Sequence, residues 1–271
     1  MKKLITYIAV IFIISVGCED DIIVALEEGP ERIVIDASIK WQKGTTGENQ
    51  TIYITKTTGY YNEDVPVVNN AIVQITNSNN EVFNFFEDGN TGNYICNDFI
   101  PVLEETYTLT IIAEGNTFTA TESLLPVAPI DFVTQELGGF SGEEVVIKAF
   151  YNDPANIENF YLYSFNTPMI GRPELTVFKD EFFDGNQIFA AYFEEDLVAG
   201  DLVTIEGQGI SESYFNYMQI LIAQTGSDSG GPFNTPPANV RGNIINTTNE
   251  NNYPYGYFRL SETDVTIYEV Q

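Results

Sequence analysis

Histidine is absent from this chain of 271 residues, and only 11 residues are lysine or arginine. The absence of histidine excludes Ser-His-Asp and Cys-His catalysis and every histidine-ligated zinc or iron site. The 39 aspartate and glutamate residues give a formal net charge of −28. Phosphate backbones and anionic lipid surfaces repel a chain of this charge. We therefore expect no nucleic-acid partner.

Long apolar runs are also scarce. The run at residues 4–16 (LITYIAVIFIISV) is shorter than the roughly 20 residues of a membrane-spanning helix. Two lysines precede it and Gly17-Cys18 follows, which predicts a signal peptide over residues 1–17. Because a cysteine comes directly after the small residue, Cys18 is the expected lipidation site. Its thiol would become a thioether to diacylglycerol, with palmitate among the acyl chains.

The alternative is a plain signal peptide with an incidental cysteine, since Ser15 stands where a lipoprotein signal usually has Leu or Val. Under the lipoprotein interpretation, residues 18–30 form the lipidated tether, and the lipid is the chain's only membrane contact. Glu19, Asp20 and Asp21 resemble the export signal of Bacteroidota surface lipoproteins. This resemblance implies an outer-membrane, lipid-anchored protein that faces the cell exterior.

The mature chain would retain one thiol, Cys96, so no intramolecular disulfide can form. No activating base lies near this cysteine in the sequence, and we expect it to pack as a small apolar group.

Segments in which β-branched and aromatic residues alternate with polar residues predict strands in the first half. These segments are residues 33–39, 51–55, 71–76, 82–86 and 106–112. Turns rich in Asn, Asp and Gly separate them at a spacing of about ten residues, which is typical of an antiparallel β-sandwich. We assign this first domain to residues 31–123.

Residues 124–129 (LLPVAP) contain two prolines and predict a short, stiff connector. The second domain, residues 124–271, repeats the strand pattern. Its predicted strands are residues 144–151, 160–165, 175–179, 187–193, 201–210, 255–258 and 263–270. Between them, residues 211–224 (SESYFNYMQILIAQ) have apolar groups three and four apart, which predicts a helix with Ser211 or Ser213 as N-cap.

Several motifs resemble the domain-of-unknown-function family 4249, a family of Bacteroidota lipoproteins often encoded beside TonB-dependent receptors. These motifs are residues 32–37 (RIVIDA), 70–75 (NAIVQI), 92–94, 107–111, 152–154, 158–161, 180–185, 236–243 (PPANVRGN) and 256–258. The resemblance implies an immunoglobulin- or transthyretin-like β-sandwich followed by a second β domain with one helix. It implies a TonB-dependent outer-membrane receptor as partner and no known activity.

Acidic clusters are the first candidates for chemistry, because two carboxylates suffice for glycoside hydrolysis. Adjacent acids on a strand point to opposite faces, so Glu194 and Glu195 cannot form a facing pair. Residues 87–91 and 180–185 are oxygen-rich enough to suggest calcium, but neither has the spacing of a twelve-residue calcium loop. Hairpin turns also require such Asp-Gly pairs. We therefore expect no metal and no cofactor.

Aromatic residues are abundant, with 16 tyrosines, 19 phenylalanines and one tryptophan. Most of the phenylalanines are expected in the core, whereas tyrosines in loops supply flat contact surface for sugars or proteins. The candidate partner or ligand surface consists of Tyr60, Tyr61, Asp153, Asn239, Tyr253, Tyr255 and Tyr257. The alternative for Asp153 is a purely structural Asp-Pro turn.

The sequence is best explained by a non-enzymatic accessory or ligand-capture lipoprotein that works with a TonB-dependent receptor. A glycan or a peptide is the expected ligand. Two alternatives remain at this stage, a carboxylate-based glycan hydrolase and a structural surface adhesin. The hydrolase would need two acids from different segments to meet in an aromatic-lined cleft.

Overall fold

The computed structural model describes residues 29–271, except residues 63, 140, 141, 143 and 226–238. These residues form fifteen strands and one helix, which confirms a mainly β protein. The strands are β1 (Ile33–Gln42), β2 (Gln50–Lys56), β3 (Ile72–Asn77), β4 (Val82–Glu87), β5 (Asn93–Cys96), β6 (Thr106–Ala113), β7 (Asn116–Leu125), β8 (Ile130–Gly138), β9 (Glu144–Asn152), β10 (Phe160–Asn166), β11 (Glu174–Lys179), β12 (Gln187–Glu194), β13 (Leu202–Ile210), β14 (Ile245–Asn246) and β15 (Tyr255–Glu269). The helix is α1 (Glu212–Thr225). In this part of the chain, no helix has the length and apolar character needed to cross a membrane.

Eight strands form a closed ring in the order β1, β2, β5, β4, β3, β6, β7, β15. Parallel pairing of β15 with both β1 and β7 closes the ring, and the other neighbours are antiparallel. The sequence predicts an open sandwich for this region, and it does not anticipate that a strand from the end of the chain closes the ring.

The interior of the ring is the first hydrophobic core, built by alternation along each strand. In β1, for example, Ile33, Ile35, Ala37 and Ile39 are buried and the residues between them are more exposed. Phe83, Phe99 and Tyr107 form a chain of ring contacts in the same core. Alternating burial is what period-two hydrophobic patterning produces in a sheet with one covered face.

The strand β15, with 15 residues, is the longest strand in the described chain because it belongs to two units. Residues Tyr255 to Thr263 pair with β1, and residues Thr263 to Glu269 pair with β13. From β13 the sheet continues through β10 to β11. The sequence predicts two closing strands here, with a break near residues 259–262, and this is wrong. The polar residues at the expected break are buried and hydrogen-bonded instead of forming a turn.

A separate three-stranded sheet, β8, β9 and β12, covers one face of the extended part of the sheet. The second core lies between these layers and is rich in aromatic residues. Tyr151 of β9 packs on Tyr161 and Tyr163 of β10, and Tyr192 of β12 stacks on Phe165. The sequence assigned all of residues 124–271 to a second domain, whereas Ile244, Phe258 and Leu260 pack in the first core.

The connector at residues 126–129 is held on β15 by two carboxylates. Glu262 accepts a hydrogen bond from the Val127 amide at 3.0 Å and pairs with Lys43 at 2.6 Å. Asp264 accepts one from the Ile130 amide at 2.7 Å. The stiffness predicted from the two prolines is thus reinforced by direct attachment to the strand that joins both units.

The helix α1 packs on β10 and β11, on the face opposite to the three-stranded sheet. Ser211 is its N-cap, because the Ser211 hydroxyl accepts a hydrogen bond from the Tyr214 amide at 3.2 Å. Tyr214, Phe215 and Met218 are buried against Leu162, Ile210 and Tyr257. The prediction of a helix over residues 211–224 is confirmed within one residue at each end.

Cys96 is buried at the end of β5, as the sequence predicts. Burial raises the pKa of its thiol to about 11, and the thiol donates a hydrogen bond to Asp98 at 3.1 Å. A protonated, buried thiol is chemically inert, so this cysteine serves packing.

Gly256 is the position at which the ring is least tolerant of a side chain. Its φ is +97°, and a Cβ there would overlap the Ile35 carbonyl oxygen of β1. We predict that Gly256→Ala lowers the free energy of unfolding by about 3 kcal/mol, measured by urea denaturation. Gly44→Ala is the matched control, because Gly44 also has positive φ (+81°) but faces open space. Its expected loss is about 1 kcal/mol. Equal losses for the two variants would contradict the proposed close approach.

Candidate functional site

A cavity of about 410 Å³ lies between α1, the segment at residues 239–243 and the start of β15. Its lining includes Ser213, Asn216 and Tyr217 of α1, Asn239 and Arg241 of the segment, and Tyr257 of β15. This volume is within the usual range for small-molecule sites. The cavity is therefore the candidate functional site.

The Asn243 side chain holds the segment at residues 239–243 on β15. It forms hydrogen bonds to the Phe258 backbone in the way that a neighbouring strand would. The Asn243 side chain accepts a hydrogen bond from the Phe258 amide at 2.9 Å and donates one to the Phe258 carbonyl at 2.8 Å. Gly242 lies against the Gly256 carbonyl, where any Cβ would overlap backbone. These contacts hold one wall of the cavity on β15 although the segment itself is not a strand.

Beside the cavity, the carboxylate of Glu122 on β7 joins several of the lining residues. Its Oε1 atom accepts hydrogen bonds from Asn243 at 3.2 Å, Ser213 at 3.3 Å and Tyr257 at 3.3 Å. Ser211 donates to the same oxygen at 3.5 Å. Burial raises the pKa of Glu122, and the hydrogen bonds from its neighbours act against this rise. The network connects the ring to the helix through one anionic group.

Tyr253 is held between two arginines at the edge of the cavity. The Arg241 guanidinium carbon lies 3.5 Å from the ring centroid, and the Arg32 guanidinium carbon lies 3.8 Å from it. At these distances the two guanidinium groups can occupy only opposite faces of the ring, which is a double cation–π arrangement. Arg32 also donates to the Tyr253 and Asn251 carbonyls at 3.0 and 3.2 Å, which fixes the turn before β15.

Tyr255 extends this cluster to Asn239. The Tyr253 and Tyr255 rings meet edge to face at 5.7 Å, and the Tyr255 hydroxyl donates to Asn239 Oδ1 at 3.4 Å. The pKa of Tyr253 is lowered by hydrogen bonds from Tyr255 and Arg241 and by the two guanidinium charges. Burial raises the pKa of Tyr255. Positive charge thus dominates the local environment of Tyr253.

Under the cavity, three tyrosines form a packed group. The ring centroid of Tyr257 is 4.8 Å from that of Tyr214 and 4.9 Å from that of Tyr217. The Arg259 guanidinium lies over the Tyr214 ring at 4.9 Å and is only 6% exposed. Arg259 donates to Gln208 and Ser261, while its Nε has no hydrogen-bond partner. Three of the four arginines in the chain are therefore part of this cluster or the adjoining Arg–Tyr–Arg stack.

The structure brings together four of the residues predicted for the ligand surface, namely Asn239, Tyr253, Tyr255 and Tyr257. Of these, Tyr257 is mostly buried, and its hydroxyl contributes to the Glu122 network. Tyr60 and Tyr61 are exposed and contact each other edge to face in the loop after β2, but they do not line this cavity. Cys18, Glu19, Asp20 and Asp21 lie outside the described residues.

The assignment of Asp153 to an exposed surface is wrong. Asp153 is only 5% exposed, because its carboxylate accepts hydrogen bonds from the Tyr161 hydroxyl at 2.7 Å and the Gly185 amide at 3.2 Å. These contacts favour the alternative of a structural Asp-Pro turn.

Sequence reasoning missed Arg32, Arg241, Glu122 and Asn216. Arginine is rare in this acidic chain, and Arg241 lies within the motif at residues 236–243. The scarcity of arginine is therefore a sequence signal that could indicate Arg241 as a functional residue. Glu122 and Asn216 carry no such signal, because only the fold brings β7 and α1 together.

The family model described as a domain of unknown function, DUF4249, matches residues 19–266. The chain belongs to the DUF4249 family. No curated protein is significantly similar to this DUF4249 chain.

Solved structures resemble the chain only in part. A segment of two fibronectin type III domains from chicken tenascin aligns with a TM-score of 0.22 and 12% identity, covering 59% of this chain and 83% of that one. A cytokine receptor complex gives 0.25 and 11%, covering 67% and 85%. A DUF4785 family protein from Legionella pneumophila gives 0.25 and 10%, covering 65% and 52%. At these TM-scores the likenesses carry no structural argument.

Away from the cavity, three carboxylates converge behind the Asp153 turn. Oxygens of Asp153, Asp180 and Asp184 lie within 4.8 Å of one another. Asp180 and Asp184 belong to the loop that the sequence singled out for calcium, and oxygen ligands of this kind suit calcium, which needs six to eight. Each carboxylate also accepts a hydrogen bond from a backbone amide of a turn. The other oxygen-rich loop, residues 87–91, forms a turn with Gly89 at positive φ.

The close approach of Asp153, Asp180 and Asp184 predicts that the thermal stability of the protein depends on pH. Burial, with the nearby charges of Asp180 and Asp184, raises the pKa of Asp153. The folded state then binds a proton more tightly than the unfolded state, so stability rises as pH falls towards the pKa of this group. We predict that the thermal midpoint, measured in EDTA, rises between about pH 7 and about pH 5.

Asp184→Asn should raise the midpoint at about pH 7 by about 2 °C and make the pH dependence shallower. The new amide oxygen can still accept the Asn156 amide hydrogen bond while the like charge is removed. Glu195→Gln is the control, because it makes the same change of charge at an exposed acid outside the cluster. An equal effect of both substitutions would show that only the net charge matters.

Proposed function

We propose that this protein is a non-enzymatic, lipid-anchored outer-membrane protein that captures a ligand for a TonB-dependent receptor. The lipid is attached at Cys18, and the acidic residues 19–21 direct the protein to the outer face of the outer membrane. Bacteroidota are the expected source, and the receptor is the expected protein partner. An immunoglobulin- or transthyretin-like character of residues 31–123 is part of the same proposal.

The observation that supports ligand capture most directly is the cavity beside α1. It is lined by amides, hydroxyls, tyrosines and an arginine, a combination that orients a polar ligand by hydrogen bonds and ring contacts. The high negative charge supports the location, since it keeps a tethered domain solvated and away from an anionic membrane surface.

The glycan hydrolase alternative finds less support. The lining of the described cavity contains no aspartate or glutamate. Asp153 and Asp180, two acids from different segments that meet, are only 5% and 4% exposed, which leaves a glycan no access to them. The adhesin alternative has support of its own on the outer face of the three-stranded sheet, where Phe150 of β9 contacts Phe132 of β8 and Phe189 of β12 in a partly exposed aromatic row. This row lacks the polar groups that line the cavity.

The anchor and the location are tested by labelling cells with a palmitate analogue and shaving intact cells with protease. We predict label on the wild type, loss of label in Cys18→Ala, and cleavage of the wild type on intact cells. Co-purification of a tagged form from outer membranes should recover a TonB-dependent receptor. Label without cleavage would contradict the outward-facing location, and recovery of no receptor would contradict the partnership.

Thiol titration gives an independent measure of lipidation. If Cys18 is a thioether, the folded protein should show no reactive thiol at neutral pH, because burial raises the pKa of Cys96 to about 11. The unfolded protein should then show one. A thiol that reacts in the folded state would indicate that Cys18 is unmodified, and Cys96→Ser separates the two signals.

A further inference from the structure

Among the described residues, the lining of the cavity includes one arginine and no acidic residue. Each of the five described lysines pairs with a glutamate. None of the four arginines forms such an ion pair within the described part of the chain, and Arg241 is the one that lines the cavity. With 39 acids available, an arginine left without an acidic partner at a cavity favours an external anion.

The hydrogen bonds that the lining residues already make also favour an anionic ligand. The hydroxyls of Ser213 and Tyr257 donate within the Glu122 network, and the Asn243 amide is fully used by Glu122 and Phe258. Asn239 accepts the Tyr255 hydroxyl through its oxygen, which leaves its amide hydrogens available. The Asn216 side chain makes no hydrogen bond to the described residues.

The groups left for a ligand are therefore mainly N–H donors, from the Asn216 and Asn239 amides and the Arg241 guanidinium, with the Asn216 carbonyl oxygen as an acceptor. Such a set recognises oxygen atoms, and the guanidinium suits a carboxylate in particular. The accessible surface of the lining is mainly apolar, with contributions from the tyrosines Tyr217 and Tyr257 and the aliphatic residues Ile220 and Val240. An apolar, partly aromatic wall with a few polar groups suits a sugar ring, which pairs its hydroxyls with amides and its C–H groups with an aromatic surface.

We propose that the cavity binds a sugar that carries a carboxylate, such as a hexuronic acid. Arg241 binds the carboxylate, and the amides of Asn216 and Asn239 bind ring hydroxyls. Arg32 supports this arrangement by holding Tyr253, on which Arg241 stacks, and by adding a second positive charge. This proposal rests on the ligand-capture function proposed above and names its substrate class.

Two pairs of sugars that differ only at C6 provide the test. Glucuronate and galacturonate carry a carboxylate where glucose and galactose carry a hydroxymethyl group. Affinities are measured by calorimetry or ligand-observed NMR on the full chain as it is expressed. We expect at least one uronate to bind about tenfold or more tightly than its neutral counterpart, as a charged hydrogen bond would produce.

Arg241→Gln should reduce the affinity for the uronate to that for the neutral sugar, and Arg241→Lys should retain part of the difference. Arg172→Gln is the matched control, since it removes the same charge from an exposed arginine between β10 and β11. Unchanged thermal midpoints would show that the variants are folded. Asn216→Ala tests the hydroxyl contacts independently and should weaken the binding of both sugars.

Three results would overturn the proposal. These are equal affinity for uronate and neutral sugar, displacement of the uronate by acetate at equal concentration, and no binding of either uronate to the folded chain. The receptor experiment is separate, so recovery of a receptor without uronate binding would reject the ligand class alone. Uronate binding without a receptor would reject the partnership and leave the site intact.

Discussion

The parallel pairing of β15 with β1 is the interaction on which the rest of the structure depends. The same strand closes the eight-stranded ring and then continues as the central strand of the second unit. Its acids Glu262 and Asp264 hold the connector between the two units. Because one continuous strand serves both cores, the two units cannot rotate relative to each other without breaking main-chain hydrogen bonds. The candidate site lies at the start of this strand, where the helix, the ring and the Arg–Tyr–Arg stack meet.

Hydrogen bonds and ring contacts offset the free-energy cost of burying the charged groups around that site. Glu122 would be costly to bury alone, and hydrogen bonds from four neighbours offset the loss of water. Arg259 is buried without a carboxylate, but it retains two side-chain hydrogen bonds and a tyrosine ring. A fully apolar interface could bring α1 to the same place. The polar network instead fixes the positions of individual side chains, which is what selective recognition requires.

Local sequence patterns predict most of the strands, because alternation and turn residues act over short distances. The helix and its N-cap at Ser211 follow from the same kind of signal. What the patterns miss depends on contacts between distant residues. Residues 259–262 (RLSE) look like a break because three of them are polar, yet Gln208 binds Arg259 and Lys43 binds Glu262 inside the sheet. Likewise, the tyrosines at 253, 255 and 257 are visible as a cluster in the sequence, whereas Arg32 and Glu122, which contact Tyr253 and Tyr257, lie more than 100 residues away along the chain.

The closure of the ring by β15 also determines when the protein can fold. Nearly the whole chain separates β1 from its parallel neighbour, so closure requires contacts of very high sequence separation, and these form slowly. A chain that emerges from a membrane with its N-terminus first would expose the unpaired edges of β1 and β7 until β15 follows. Unpaired edges readily join strands of other chains. For a chain of this topology, the native state becomes accessible only when β15 is available to pair with β1 and β7.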